Sequence, residues 1–253
     1  MEKKPDRDTS WGKVSQWYDT YLAGDDSYQM QVILPNLVRV LGLKKEERVL
    51  DLACGQGFFT REFAKTGAAV QGTDIAPELI KEAKKHGGDI RYDIASAEDL
   101  SFARDASFDT VVCVLALQNM ENLGKVCKEV ERVLVPGGRF VLVLNHPAFR
   151  VLKRSKWGWD EGGIQFRRVD GYLSAAKVFI DMHPGKGGEK IQTISYHRSL
   201  QDFFKSLAGA SLAVTRLEEW ISHRVSEKGP KQKAEDTARK EIPLFMMLEA
   251  RKR

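Results

Sequence analysis

Between Arg48 and Asn145 short apolar runs alternate with amphipathic ones, and no other feature of the sequence restricts the fold as strongly. RVLDLA, AAVQGTD, DIRYD, FDTVVCVLAL and FVLVLN have the length and apolar content of strands. FFTREFAKT is amphipathic, and APELIKEAKKH reads as a helix with Pro77 in its first turn and two glycines after it. In ENLGKVCKEVERVLVPGGRF, Leu123, Val126, Val130, Val133 and Leu134 form one helical stripe that Pro136, Gly137 and Gly138 terminate. A chain that alternates in this way folds as an α/β domain, a doubly wound and mostly parallel sheet with right-handed crossovers on both faces.

The flanks read differently. Met30, Ile33, Leu34, Leu37, Val40 and Leu41 recur at spacings of three and four, so Trp11 to Leu43 is predicted helical. After Asn145 the alternation lapses until Arg198. There turn signals, Trp157 and Trp159, and the period-two runs KVFIDMH and KIQTISYH predict an inserted cover of short antiparallel strands. SLQDFFKSLAGA is a helix capped by Ser199, LAVTRLEEWI a strand, SHRVSEKGPKQKAEDTARKE a charged excursion and IPLFMMLEARKR a last strand. The expected organisation is an N-terminal helical section, 1–47, a core formed by 48–145 and 198–253, and an insertion, 146–197.

Composition bounds the function classes. A chain of 253 residues that is 42% hydrophobic fills one such domain with its insertion. No apolar run approaches the roughly 20 residues that cross a bilayer, and the charged start MEKKPDRDTS lacks the apolar centre of a secretory signal. A cytoplasmic protein with no membrane partner is expected. Cys54, Cys113 and Cys127 lack C-x-x-C spacing and suggest neither a disulfide framework nor a metal site. The net charge is +5, and the whole excess lies between Leu144 and Arg198, where basic residues outnumber acidic ones two to one. Such a region attracts an acidic substrate or a phosphate backbone, although a solvated face of mixed charge has the same composition.

Gly55 and Gly57 stand at the seam between the first strand and the helix that follows. Glycines there let several backbone N–H groups converge on a ligand. A dinucleotide fingerprint needs a third glycine, and Thr60 occupies that position, which counts against a pyrophosphate. The second strand ends in Asp74, placed to accept hydrogen bonds from ribose hydroxyls and to repel a ribose phosphate; its alternative role is to cap the helix at Pro77. These parts suit an adenosine without phosphates.

VLDLACGQG with GTDIAPELIKEAKK, then ASAEDLSF, FDTVVCVLALQNMEN and VLVPGGRFVLVLNHP, resemble in order the motifs of class I S-adenosylmethionine-dependent methyltransferases. The resemblance implies a Rossmann-like, seven-stranded sheet whose last strand is antiparallel, and S-adenosyl-L-methionine as cofactor with S-adenosyl-L-homocysteine as product. It assigns Asp51 to the cofactor's amino group, Ala53, Gly55 and Gly57 to backbone contacts with its methionine part, Asp74 to the ribose and Ile75 to the adenine face. Ser96, Ala97 and Glu98 would lie at the adenine edge, Val114, Leu115 and Gln118 beside the methionine chain, and Tyr18 would close the pocket from the N-terminal helices.

For catalysis the candidates are His146, as a general base just past the fifth strand, and Asn145, which could orient the acceptor. His183 and His197 are weaker candidates of the same kind. Tyr28, Trp157, Trp159, Arg168 and Tyr172, with Arg167 beside them, are the expected lining of the substrate site, aromatic faces also holding the cationic sulfur; a small satellite core under the insertion is the alternative role for the tryptophans. The expected activity is methyl transfer to an acidic or aromatic small molecule. A second reading takes RNA as acceptor, with Arg150, Lys153, Arg154 and Lys156 on phosphate, and a third is a non-catalytic cofactor-binding module.

Overall fold

β1 (Arg48–Leu52) is buried from Val49 onward on both faces of its pleat, so it belongs inside a sheet and not at an edge. In this computed structural model, which describes residue 11 and residues 26–181 and 191–253, β1 pairs in parallel with β2 (Ala69–Asp74) and β4 (Phe108–Val114). β3 (Arg91–Ile94) continues the parallel sheet beyond β2, and β5 (Leu134–Asn145) continues it beyond β4. β11 (Phe245–Lys252) is antiparallel to β5, and β10 (Leu212–Trp220) is antiparallel to β11. The resulting seven-stranded order is β10-β11-β5-β4-β1-β2-β3. This is the mostly parallel sheet with an antiparallel last strand that the sequence predicts. The strand order reverses between β1 and β4, which opens a crevice at their carboxyl ends.

The pleat sorts alternate residues into two cores. Leu50, Leu52, Phe140 and Leu142 face α4 (Leu123–Val133) and α5 (Leu200–Ala208), through Val126, Val130, Phe203 and Leu207. Val49, Val112, Val141 and Val143 face the other way, onto Ile33, Leu37 and Leu41 and onto Phe63. The first three belong to a π-helical turn, Gln29–Ile33, that continues into α1 (Leu34–Leu41), and Phe63 to α2 (Phe58–Ala64). A one-residue slip of β5 would exchange the two cores, which is why its register is firmly specified. α3 (Pro77–Lys85) covers β2 and β3, and Ser199 caps α5 in a reciprocal capping box with Asp202.

Two elements depart from the sequence reading, and the insertion forms the short antiparallel strands it predicts. Pro136, Gly137 and Gly138 lie within β5 and not in a turn ahead of it. Leu134 already pairs with Phe108, and the register then jumps so that Thr110 faces Arg139. A Cβ on Gly138 would stand 2.8 Å from the Val135 carbonyl oxygen, so the bulge needs glycine there. The charged excursion contains a helix, α6 (Gln232–Glu241), in which only Ala238 is buried. The insertion forms two separate antiparallel pairs, β6 (Ser155–Trp159) with β7 (Gln165–Val169) and β8 (Ala176–Asp181) with β9 (Gln192–His197). Among the described residues no helix is long and apolar enough to cross a membrane.

Candidate active site

The turn after β1 puts Ala53, Gly55 and Gly57 in the left-handed region, at φ of 59°, 56° and 79°. Tyr92 of β3 packs beneath it. A Cβ on Gly57 would lie 2.6 Å from the Tyr92 hydroxyl oxygen, and a Cβ on Gly72 would lie 2.7 Å from the Tyr92 ring and 2.9 Å from Cys54 Sγ. Gly57 N–H donates to the Cys54 carbonyl, and Gly55 N–H donates to Asp74. The two glycine N–H groups expected to face a cofactor are therefore engaged within the turn, because they hold its shape and fix Asp74. Thr60, which the sequence marks only as a missing third glycine, is fully buried, and its hydroxyl donates to Asp51.

Asp51 and Asp74 are both buried. Asp74 accepts from Gly55 N–H at 3.0 Å on one oxygen and from Ala76 N–H at 2.9 Å on the other. Ala76 is the N-cap of α3, so Asp74 does both jobs the sequence allowed: it braces the start of that helix and still presents its carboxylate at a strand end. Burial pushes the Asp51 carboxyl up to about 7, with the Thr60 hydrogen bond opposing and the neighbouring Asp74 charge adding to the rise. Burial raises Asp74 as well, against its backbone hydrogen bonds. Among the described residues neither acid has a lysine or arginine partner. Two buried carboxylates side by side without a cation leave a demand for positive charge.

That demand has a sign in pH. A carboxyl raised in the folded state binds a proton there that the unfolded chain has released. The ligand-free protein therefore has its full Asp51 contribution below about pH 4 and loses it as pH rises through about 7. A cationic ligand selects the ionised form, so its affinity is expected to rise as pH rises through about 7, with proton release on binding at pH 6. Calorimetry in buffers of different ionisation enthalpy counts those protons; Asp51→Asn should remove the release.

The remaining cofactor candidates are distributed along the same edge. Ile75 follows Asp74 and is partly exposed. Ser96 Oγ accepts from Glu98 N–H at 3.2 Å, Glu98 in turn accepts from Asn122 N–H at 3.2 Å, and Ala97 packs on the core. The Glu98 carboxylate thus braces the turn before α4. Val114 ends β4, and Leu115 follows in the left-handed region at φ 52°, held by its N–H to the Val143 carbonyl. Gln118 donates to the Leu115 carbonyl, while its own side-chain oxygen is enclosed with no partner. Tyr18 and His183 lie outside the described residues.

Past the ends of β4 and β5 a cavity of about 490 Å³ lies under the two hairpins; Gln118, Asn145, Arg150, Arg167, Tyr196 and Arg198 line it. The β6–β7 register pairs Trp157 with Arg167 and Lys156 with Arg168, which puts Trp157 and Arg167 on one face. Arg168 is accordingly on the other face, exposed and paired with Asp170 at 2.9 Å, and does not line the cavity. Trp159 lies under the Lys231 ammonium, 4.9 Å from its ring centre. The Tyr172 hydroxyl accepts from Leu200 N–H and its carbonyl from His197, so this tyrosine ties the insertion to α5. Tyr28 packs edge-on to Phe245 and His223, with Arg224 over its face. Trp157, Trp159, Arg168, Tyr172 and Tyr28 do not line this cavity; they pack around it or lie at the surface.

Both ring nitrogens of His146 are engaged. The residue is 2% exposed; Nδ1 accepts from Ala148 N–H at 3.2 Å, and Nε2 meets Glu219 at 2.7 Å. An Nδ1 that accepts leaves the proton on Nε2, which donates to the carboxylate, so no ring nitrogen is free to take a proton from an acceptor. Burial lowers its basicity, against the pull of Glu219. His146→Ala is expected to cost about 1–2 kcal/mol of stability by orphaning the part-buried Ala148 N–H, and to leave the pH dependence of turnover unchanged; denaturant unfolding and a pH–rate profile check the two halves.

The sequence profile of a family described as methyltransferase domain matches residues 50–142. The chain is 37% identical over 99 residues to a ubiquinone biosynthesis O-methyltransferase of Xanthomonas oryzae pv. oryzae, covering 38% of this chain and 41% of that one. It is 39% identical over 113 residues to a demethylmenaquinone methyltransferase of Tropheryma whipplei, covering 43% of this chain and 46% of that one. The chain thus spans less than half the length of these curated relatives. The crystal structure of an S-adenosylmethionine dependent methyltransferase from Mesorhizobium loti matches it with a TM-score of 0.70 and 26% identity over 90% of this chain and 99% of that one.

Proposed function

We propose that this chain, a member of the class I S-adenosylmethionine-dependent methyltransferases, transfers a methyl group from S-adenosyl-L-methionine to a small-molecule acceptor held under its insertion. The observation that carries the reading is the pair of buried, cation-less carboxylates, Asp51 and Asp74, at the carboxyl edge of the sheet. The residues fit the cofactor: each Asp74 oxygen has a lone pair left for a ribose hydroxyl beyond the backbone N–H it already accepts, and Asp51 offers an ionisable oxygen to an ammonium.

When bound, the cofactor supplies an electrophilic methyl group on a positively charged sulfur. The chain's own contribution is binding and alignment. Asp74 grips the ribose, Ile75 packs on the adenine, and the Ser96–Glu98 turn borders its edge. Val114, Leu115 and the unpartnered oxygen of Gln118 face the methionine part, and Gln118 also lines the acceptor cavity, so one residue borders both compartments. Fixing two reactants in line supplies most of the acceleration such a displacement needs. Asn145, exposed at the end of β5, orients the acceptor at the cavity lip. With both His146 nitrogens engaged, the acceptor gives up its proton without that residue.

Support for a small acceptor comes from the cavity under the insertion and from two curated relatives, one named for ubiquinone biosynthesis and the other for demethylmenaquinone. The arginines of the cavity suit an acidic molecule, and Tyr196 an aromatic one. Incubating the protein with methyl-labelled cofactor and separated metabolite and RNA pools tests this: label is expected in the metabolite fraction, and label confined to RNA, or none transferred, would refute it.

A further inference from the structure

Arg150 and Arg167 both line this cavity, and their guanidinium carbons lie 5.6 and 5.2 Å from the Trp157 ring centre. Arg167 is satisfied by protein: Nε donates to the Phe149 carbonyl at 2.9 Å and a terminal nitrogen to Ser155 Oγ at 2.8 Å. Arg198, farther along the wall, is likewise taken up by the carbonyls of Met120 and Glu121. Arg150 differs. Its Nε is enclosed without any hydrogen-bond partner, and among the described residues the guanidinium makes neither a hydrogen bond nor an ion pair. Of the charged groups that act on it, Arg167 and Arg239 are positive. The nearby His146 already donates to Glu219. A half-buried guanidinium with an enclosed, idle Nε and cationic neighbours is costly unless an anion completes it.

We propose that the methyl acceptor is a carboxylate, and that Arg150, set against the Trp157 ring, is the residue that grips it. This rests on the methyltransferase reading above. The planar fork of a guanidinium matches the two coplanar oxygens of a carboxylate. Because the donors of Arg167 and Arg198 are largely committed, a single fork is on offer, which suits a monoanion better than a phosphate dianion. Burial and the Arg167 charge push Arg150 down to about 10, so it remains a cation at neutral pH.

The test uses the full chain and separates the two readings. Calorimetry with S-adenosylmethionine comes first, on wild type, Arg150→Gln and Arg150→Lys; equal binding by all three is expected, and no binding by wild type would overturn the methyltransferase reading itself. With S-adenosylhomocysteine saturating, small carboxylates are then titrated against their own primary amides, benzoate with benzamide and succinate with succinamide among them, with inorganic phosphate as a separate arm. At least one acid is expected to bind about tenfold or more tightly than its amide, with that preference lost in Arg150→Gln and partly kept in Arg150→Lys. No preference for any acid, a preference that survives Arg150→Gln, or phosphate bound in place of every carboxylate would overturn the proposal while leaving cofactor binding intact.

Discussion

Replacing Asp74 by alanine is expected to weaken S-adenosylmethionine binding by about a hundredfold or more, since on the proposed reading it removes two charge-assisted hydrogen bonds to the ribose hydroxyls. The structure adds a second reason for a large effect. Asp74 also accepts from Gly55 N–H and Ala76 N–H, so its loss loosens the glycine turn and the start of α3 together. Asp74→Asn separates the contributions. An amide retains one acceptor oxygen but places an NH₂ group against a backbone N–H, so it should keep the fold and still lose most of the affinity. Circular dichroism and calorimetry on both variants give the comparison; an Asp74→Ala protein that binds the cofactor as wild type does would remove the ribose assignment.

Gly57→Ala is expected to have the larger effect on stability, about 2–4 kcal/mol. The residue sits at φ 79°, where a side chain is strained, and its new Cβ would fall 2.6 Å from the Tyr92 hydroxyl and 3.0 Å from the ring carbon that bears it. Tyr92 cannot move aside freely, because Ile80 and Ala83 pack on it. Its hydroxyl has no hydrogen-bond partner, so Tyr92→Phe alone should be near neutral. The double variant Gly57→Ala with Tyr92→Phe should recover part of the loss, because the closest contact is gone and the backbone strain remains. Strict additivity of the two changes in urea unfolding would show that the hydroxyl contact is not the source of the cost.

These two residues show what a sequence can and cannot reveal. The alternation from Arg48 to Asn145 is legible because each strand must bury both faces and each helix one, and both demands leave a period in the residues. Helix α6 leaves none: it rests on Ala238 alone, so its charged sequence looks like a loop. Gly57 and Asp74 stand out as turn glycine and strand-end acid, but the reason Gly57 must be glycine is Tyr92, which arrives from a different strand. His146 lies at the expected place, past β5, and its occupation by Glu219 depends on the pairing of β10 with β11 and β11 with β5. The adjacent arginines are the sharpest case. Arg167 and Arg168 are equivalent in sequence, and the parity of the β6–β7 register alone decides which one faces the cavity. Arg150 was legible as part of a basic cluster, whereas its unpartnered guanidinium depends on which acids the fold brings near.

On the proposed reading, the carboxyl edge of the sheet forms a nucleoside pocket that needs a cation. Titrating the ligand-free protein with S-adenosylmethionine at pH 6 and at pH 8, and repeating the titration in the presence of a nicotinamide dinucleotide, tests it directly. Tighter binding at pH 8, a proton released at pH 6, and no competition from the dinucleotide are the expected results. Binding that is absent, or that the dinucleotide displaces, would contradict the account.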